Sequence, residues 1–163
     1  MLPKLLSRKQ ESLKALTETY NACSLCPIAG IRPKYRNFAI MGRGNLDADI
    51  LVVHDRLTEQ DASSMTPISG AQKEILHDMF SAAGMDFNDA FVTSVIACPT
   101  PKARPPLVTE KKNCRDRVTA EVHIVNPRVI LLMGSNSYTS LLQKESTRVK
   151  FSYAIGSVCD VPV

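Results

Sequence analysis

The chain has 163 residues, 44% of them hydrophobic and 22% charged, with a formal net charge of +4. That length suits one domain, 1–163, able to bury a core without disulfide staples, and so mild a charge permits attraction to phosphates without requiring it. No apolar run approaches the roughly 20 residues of a membrane span and the N-terminus lacks the apolar region of a secretory signal, so no membrane association and a cytoplasmic address are expected. In chain order, Leu2, Leu5, Leu6, Leu13, Leu16 and Tyr20 recur among Lys, Arg, Glu and Gln, which predicts an amphipathic helix over 2–20. Pro27 and Gly30 then break the helix, and 31–49 reads as loop with one short strand near Phe38–Met41.

Ile50-Leu51-Val52-Val53 is a continuous run of β-formers, as expected of a parallel strand buried on both faces, and it leads into a polar loop over 54–69. A helix is predicted over 71–83, with Ile75, Leu76, Met79 and Phe80 on one face and Gly84 as its stop. Phe91 to Ile96 is a second strand, followed by a stiff loop containing Pro99, Pro101, Pro105 and Pro106. A helix from Thr109 to Val125 ends at Asn126-Pro127, Val129 to Met133 is a third buried strand, and Gly134 leads into a helix over 137–142. A short terminal strand is expected within 151–163. This alternation predicts an α/β fold with a mainly parallel sheet between helical layers, in which the loops after His54, Ala97 and Gly134 share one rim.

Five cysteines without an export signal argue against a disulfide framework. Cys23-x2-Cys26 can ligate a metal centre from one turn, and Cys98 and Cys114 add two more thiolates at wide spacing. Four thiolates match a [4Fe–4S] or [2Fe–2S] cluster; a structural zinc, which more often shows two tight pairs, and a set of merely buried thiols are the alternatives. Cys159 stands apart as a core residue. Basic residues gather near these cysteines: Arg32, Lys34, Arg36 and Arg43 after the first pair, and Lys102, Arg104, Lys111, Lys112, Arg115 and Arg117 around the second. Two such runs suggest a face laid against a phosphate backbone, with Lys102, Arg104, Lys111, Lys112 and Arg115 as the candidate contacts.

Four stretches carry a resemblance: Asn21 to Pro27, Ala48 to Val53, Phe91 to Pro106 with Glu110 and Cys114, and Asn126 to Gly134. Together they resemble the family 4 uracil-DNA glycosylases, the iron–sulfur branch of that superfamily. The resemblance implies a three-layer α/β/α sandwich with a four-stranded, mainly parallel sheet. It also implies a [4Fe–4S] cluster on Cys23, Cys26, Cys98 and Cys114, and DNA as partner. Where the family has a Gly-Glu-Ala-Pro-Gly-like motif this chain reads His54-Asp55-Arg56-Leu57-Thr58, so Asp55 takes the place of the Glu and Asp61 that of a second carboxylate. The family's base-stacking Phe aligns with Ile68, in Pro67-Ile68-Ser69-Gly70, and its base-reading Asn with Ser94.

Base excision needs a flipped base, stacking, edge recognition and stabilisation of the charge on sugar and leaving group. Asp55, with His54 and Asp61, is the candidate catalytic set, and Ile68, Ser94 and Gly70 the candidate base pocket. Ile68 cannot stack as Phe does, Ser94 offers one hydroxyl in place of an amide, and the family's His-Pro-Ser-type loop has no counterpart before Val163. The expectation is therefore a DNA-binding or replication- or host-partner-binding protein with uracil excision lost. An active DNA glycosylase and a redox or partner-binding module without DNA are the alternatives.

Overall fold

The computed structural model describes residues 2–35, 38–143, 157–158 and 161–162. Its centre is the second strand. β2 (Ile50–His54) lies between β3 (Phe91–Ser94) and β4 (Val129–Met133), parallel to both. The two-residue β1 (Arg43–Gly44) adds an antiparallel edge to β3, giving the order β1-β3-β2-β4. Alternate residues of β2 feed two cores. Leu51 and Val53 face Val118, Val122, Val125 and Ile130, whereas Val52 packs with Leu76, Phe80, Phe87 and Val92. Burial on both faces is why the strand is uniformly apolar.

Those two cores define the helical layers. α1 (Leu2–Asn21) and α4 (Val108–Val125) cover one face, and α3 (Gly70–Ala82) covers the other through Leu76 and Phe80, one turn apart. α4 ends where Asn126 takes the left-handed conformation (φ 55°) ahead of Pro127. Lys9 secures α1 by donating to the carbonyls of Leu46 and Val125 and to the Asp47 carboxylate. α5 (Ser135–Leu142) follows β4, and β5 (Ser157–Val158) pairs antiparallel with β6 (Val161–Pro162). The mainly parallel sheet between helical layers is as expected from the alternation of elements, and its four strands are as the resemblance implied.

Three local expectations need correction. Residues 38–41 form no strand: Ala39, Ile40 and Met41 are buried apolar side chains, but Ile40 N–H is spent singly on the Ala97 carbonyl, and the edge strand lies at Arg43–Gly44. The segment 54–69 contains α2 (Glu59–Ser64), capped reciprocally by Thr58 and Asp61. Pro27–Tyr35 is a 3₁₀ segment and not an open loop.

A buried ion pair joins the layers behind the rim. Arg117 and Glu121 are both fully buried, 2.8 Å apart, one turn apart on α4. Arg117 Nη1 also donates to Thr93 Oγ1, and Nη2 to the Ser94 carbonyl; Glu121 accepts from Thr93 Oγ1 (2.6 Å) and Gly42 N–H (2.8 Å). Arg117 is thus a core strut and not part of a phosphate-facing run.

Candidate functional site

The register pairs His54 with Ser94 on one side and with Met133 on the other, so all three parallel strands end at one rim. Two features meet there through a single loop.

The first is a cavity behind the loop. Cys23 and Cys26 follow α1, Cys98 lies just beyond β3, and Cys114 sits on α4, yet all four line one cavity together with Tyr20, Ile28, Ala29, Ala97 and Asn113. None is in a disulfide. Local structure aims the first pair inward. Arg32, buried, donates to the carbonyls of Tyr20, Asn21, Cys23 and Ala29, which folds the chain back across the end of α1. Asn113 donates to Cys26 Sγ (3.2 Å) and to the Leu25 carbonyl (3.0 Å). Arg32 therefore serves the cysteine loop, not a DNA face; Arg36 and Cys159 lie outside the described residues.

Four thiols lining one cavity are the donor type that an iron–sulfur cluster takes. Burial pushes the Cys98 thiol up to about 12, with the neighbouring cysteines adding to the shift and Arg32 opposing it. Burial likewise raises Cys26. Thiolates gathered this way are stable only where metal charge compensates them. Among the described residues no group of three His, Cys, Asp or Glu side chains meets the spacing of a metal site, so the convergence of four thiols on one cavity, and not a formed coordination geometry, is what points to a metal centre.

The second feature is an open polar cleft of about 550 Å³ lined by Thr58, Glu59, Gln60, Ser69, Ala71, Gln72, Lys102 and Ala103. α2 and α3 supply one wall through their first turns. Lys102 and Ala103, both left-handed at φ 51° and 50°, supply the other from the proline-rich loop that begins at Cys98. Asp61 holds the first wall together. Its buried carboxylate accepts from Thr58 N–H (2.8 Å), Thr58 Oγ1 (2.7 Å) and Ser69 Oγ (2.6 Å), tying the start of α2 to the start of α3.

The expected catalytic residues lie around this cleft and not in it. Asp55 accepts from Asn136 N–H (2.6 Å), Asn136 Nδ2 (2.7 Å) and Ser137 N–H (3.4 Å), so it fixes the first turn of α5. Gly134 makes room for that contact: at φ +96°, a Cβ there would come 2.5 Å from Asp55 Oδ1. His54 is buried, its Nδ1 has no hydrogen-bond partner among the described residues, and burial lowers its pKa against the opposing pull of Asp61, Asp55, Gln72 and the Pro67 carbonyl.

Of the expected base pocket, Ile68 belongs to the α3 core with Leu76 and Phe80. Ser94 is fully buried, its hydroxyl donating to the Ile96 carbonyl. Gly70 stands at the start of α3, where the Gln60 carboxamide covers it so closely that a Cβ would meet Oε1 at 2.8 Å.

The basic residues also divide. Lys102 lines the cleft and Lys112 is exposed. Arg104 makes a two-pronged pair with the buried Glu110 carboxylate (2.6 and 2.9 Å), which also caps α4 at Leu107 N–H; this contact holds Glu110 below the ordinary carboxylate range. Lys111 reaches Asn136 and Thr139, and Arg115 the Ser140 carbonyl, so both strap α5 to α4. Three lining residues went unread in the sequence: Glu59, Gln60 and Gln72. The signal for the first two was the capping box Thr58-x-x-Asp61, which announces a helix start and hence a turn of side chains projecting at the rim.

The chain is similar to known proteins over most of its length. The family model of the uracil DNA glycosylase superfamily matches residues 41–159. The chain is 26% identical over 129 residues to a type-4 uracil-DNA glycosylase of Thermotoga maritima, covering 79% of this chain and 65% of the relative. It is 27% identical over 138 residues to one of Pyrobaculum aerophilum (85% and 68%), and 26% identical over 124 residues to one of Archaeoglobus fulgidus (76% and 60%). The chain thus spans between 60% and 68% of the length of these curated relatives.

Proposed function

The chain belongs to the uracil DNA glycosylase superfamily, and on that premise we propose that it is an iron–sulfur DNA glycosylase domain that excises a base from DNA at the polar cleft. The observation that carries the reading is the loop from Cys98 to Leu107, which runs from a cavity of four thiols to the wall of a cleft at the carboxyl ends of the parallel strands. This is where α/β sheets of this kind hold their ligands. The expectation of lost excision finds no support in the relatives, all three of which carry uracil-DNA glycosylase in their names.

Cys23, Cys26, Cys98 and Cys114 would hold a [4Fe–4S] cluster, whose role is to pin the segment after α1 to the loop. Everything else falls to side chains. DNA approaches along Lys102 and Lys112, two ammonium groups free to meet phosphates, and the target nucleotide leaves the stack to enter the cleft. Hydrolysis joins a water oxygen to the sugar C1′ as the bond from C1′ to the base nitrogen breaks; the bonding pair leaves on the base, which takes up a proton. A carboxylate beside C1′ stabilises the cationic sugar. Asp55 is held rigidly at the rim by three donors, and Glu59 is the carboxylate among the described cleft-lining residues.

A second reading, a DNA-binding protein without excision, is favoured by one specific observation: Asp55 and Asp61 both spend their carboxylates on hydrogen bonds within the protein. Incubation with single- and double-stranded uracil DNA, read as abasic sites, decides between them. Excision abolished by Asp55→Asn or by Glu59→Gln supports the enzyme and identifies its carboxylate. DNA bound with a salt slope reduced by about one unit in Lys102→Ala, and no abasic sites formed, would establish the binder instead.

A further inference from the structure

We propose that Asn113 is a positioning residue for the metal centre: its carboxamide binds the sulfur of Cys26 and raises the reduction potential of the cluster. The inference rests on the iron–sulfur reading and concerns the cluster's charge balance, which base excision does not use. Among the described residues, Asn113 Nδ2 is the one hydrogen-bond donor to any of the four cavity sulfurs. It reaches Cys26 Sγ at 3.2 Å and the Leu25 carbonyl at 3.0 Å, so the two hydrogens of one amide serve two acceptors. A carbonyl can only accept, which fixes the amide with its nitrogen toward the turn. Asn113 stands immediately before Cys114 on α4, so one rigid helix carries both a thiol of the cavity and the donor to another thiol, 87 residues away in sequence.

The contact falls on the more exposed side of the cavity. Cys98 and Cys114 are buried, whereas Cys23 and Cys26 are half-buried and Leu25 between them is 67% exposed. Arg32, the other residue that orders this turn, donates to backbone carbonyls, that of Cys23 among them, and to no sulfur. A strap alone would need only the Leu25 carbonyl; the second hydrogen of Asn113 goes to sulfur. Hydrogen bonds to the sulfurs and exposure to solvent are among the factors that set a cluster's potential. An N–H dipole aimed at a thiolate favours the form of the centre that carries more negative charge, which is the reduced one. Asn113 therefore makes gain of an electron easier and loss of one harder, at a thiol that the protein only half covers.

The test uses the full chain, purified anaerobically with its cluster. Iron content and visible absorption come first: a protein without iron overturns the iron–sulfur reading and this inference together. With iron present, the potential is read by spectroelectrochemistry, each cluster taking one electron from the electrode. Asn113→Leu, which keeps the volume and removes the donor, should lower the potential by about 59 mV, a tenfold change in the one-electron equilibrium constant, with iron stoichiometry unchanged. Asn113→Asp, which puts a negative charge in the same place, should lower it further. A second measurement needs no substitution. In protein carrying heavy nitrogen only in its asparagine side-chain amides, the cluster is reduced by cryogenic irradiation and studied by pulsed electron paramagnetic resonance. Coupling of the electron spin to that nitrogen is expected in the unmodified chain. An unchanged potential in Asn113→Leu overturns the inference and leaves the cluster assignment intact. Absence of the nitrogen coupling in the unmodified chain overturns it as well, and that measurement decides the matter if Asn113→Leu fails to hold iron.

Discussion

At one end of the proline-rich loop four thiols and a few mostly apolar neighbours enclose a small cavity; at the other, six polar side chains and two alanines line an open cleft. The cavity draws its four thiols from three distant parts of the chain, yet each is a cysteine and could be named from composition. The cleft is assembled largely from 58–72, a compact stretch, yet several residues aligned to the family's site are committed to contacts within the protein around it. Asp61 ties α2 to α3, Asp55 fixes α5, and Ile68 fills the core. A site built from one uncommon, chemically specialised residue type is conspicuous, whereas a site built from common polar residues is not, because the same carboxylate serves equally as a helix cap or as a catalyst.

The contrast makes predictions that separate the two regions. The largest effect is expected at the cavity. Cys98→Ala should abolish bound iron and its visible charge-transfer absorption in anaerobically purified protein, and with the loop unpinned DNA binding should fall too; Cys159→Ala should retain its iron. Iron retained at wild-type stoichiometry in Cys98→Ala would break the assignment.

Next comes the strut that both regions share. Arg117→Met leaves Glu121 charged and unpaired in the core, so urea unfolding should show a loss of about 3–5 kcal/mol. The double variant with Glu121→Met should recover much of it, since the pair as a whole is worth far less than either half alone.

Asp61→Ala should act on the cleft alone. It removes the acceptor of three hydrogen bonds and should cost about 2–3 kcal/mol, with iron content unchanged and excision at the cleft impaired. Loss of iron in this variant would show that the two regions are not separable.

The smallest effect is in the pH dependence. Burial depresses the His54 pKa in the folded state, so the unfolded chain binds the proton more readily and stability declines as pH falls below the ordinary histidine value of about 6.5. Glu110, held low by Arg104, adds a second decline at more acid pH, present above the ordinary carboxylate value and lost as pH falls through the depressed one. Chemical denaturation at stepped pH should show both arms. His54→Gln should lose only the upper arm and Arg104→Gln should reduce only the lower.

Periodicity was a reliable guide wherever one face of an element is buried. α3, α4 and the uninterrupted apolar β2 lie within one or two residues of their expected bounds, although of the expected α3 face Ile75, Leu76, Met79 and Phe80 only Leu76 and Phe80 are buried. It misled where burial and ladder pairing part company: 39–41 are apolar because they are buried, not because they are paired. It was silent where burial is slight, since among the α2 residues Glu-Gln-Asp-Ala-Ser-Ser only Asp61 and Ala62 are buried.

The layered sheet, its helical cover and the four candidate cluster ligands follow from local properties: which residues are apolar, at what spacing, and which can bind a metal. These survive translation from chain to fold because hydrophobic burial and thiolate chemistry depend on residue type. The roles of Asp55, Asp61, Arg104 and Arg117 were decided in three dimensions. A polar group's free energy depends on whether a partner lies within about 3 Å, and that partner is 81 residues away for Asp55 and 24 for the Arg117–Thr93 contact. Only once the chain is folded does a carboxylate or guanidinium become a strut or remain available to a ligand.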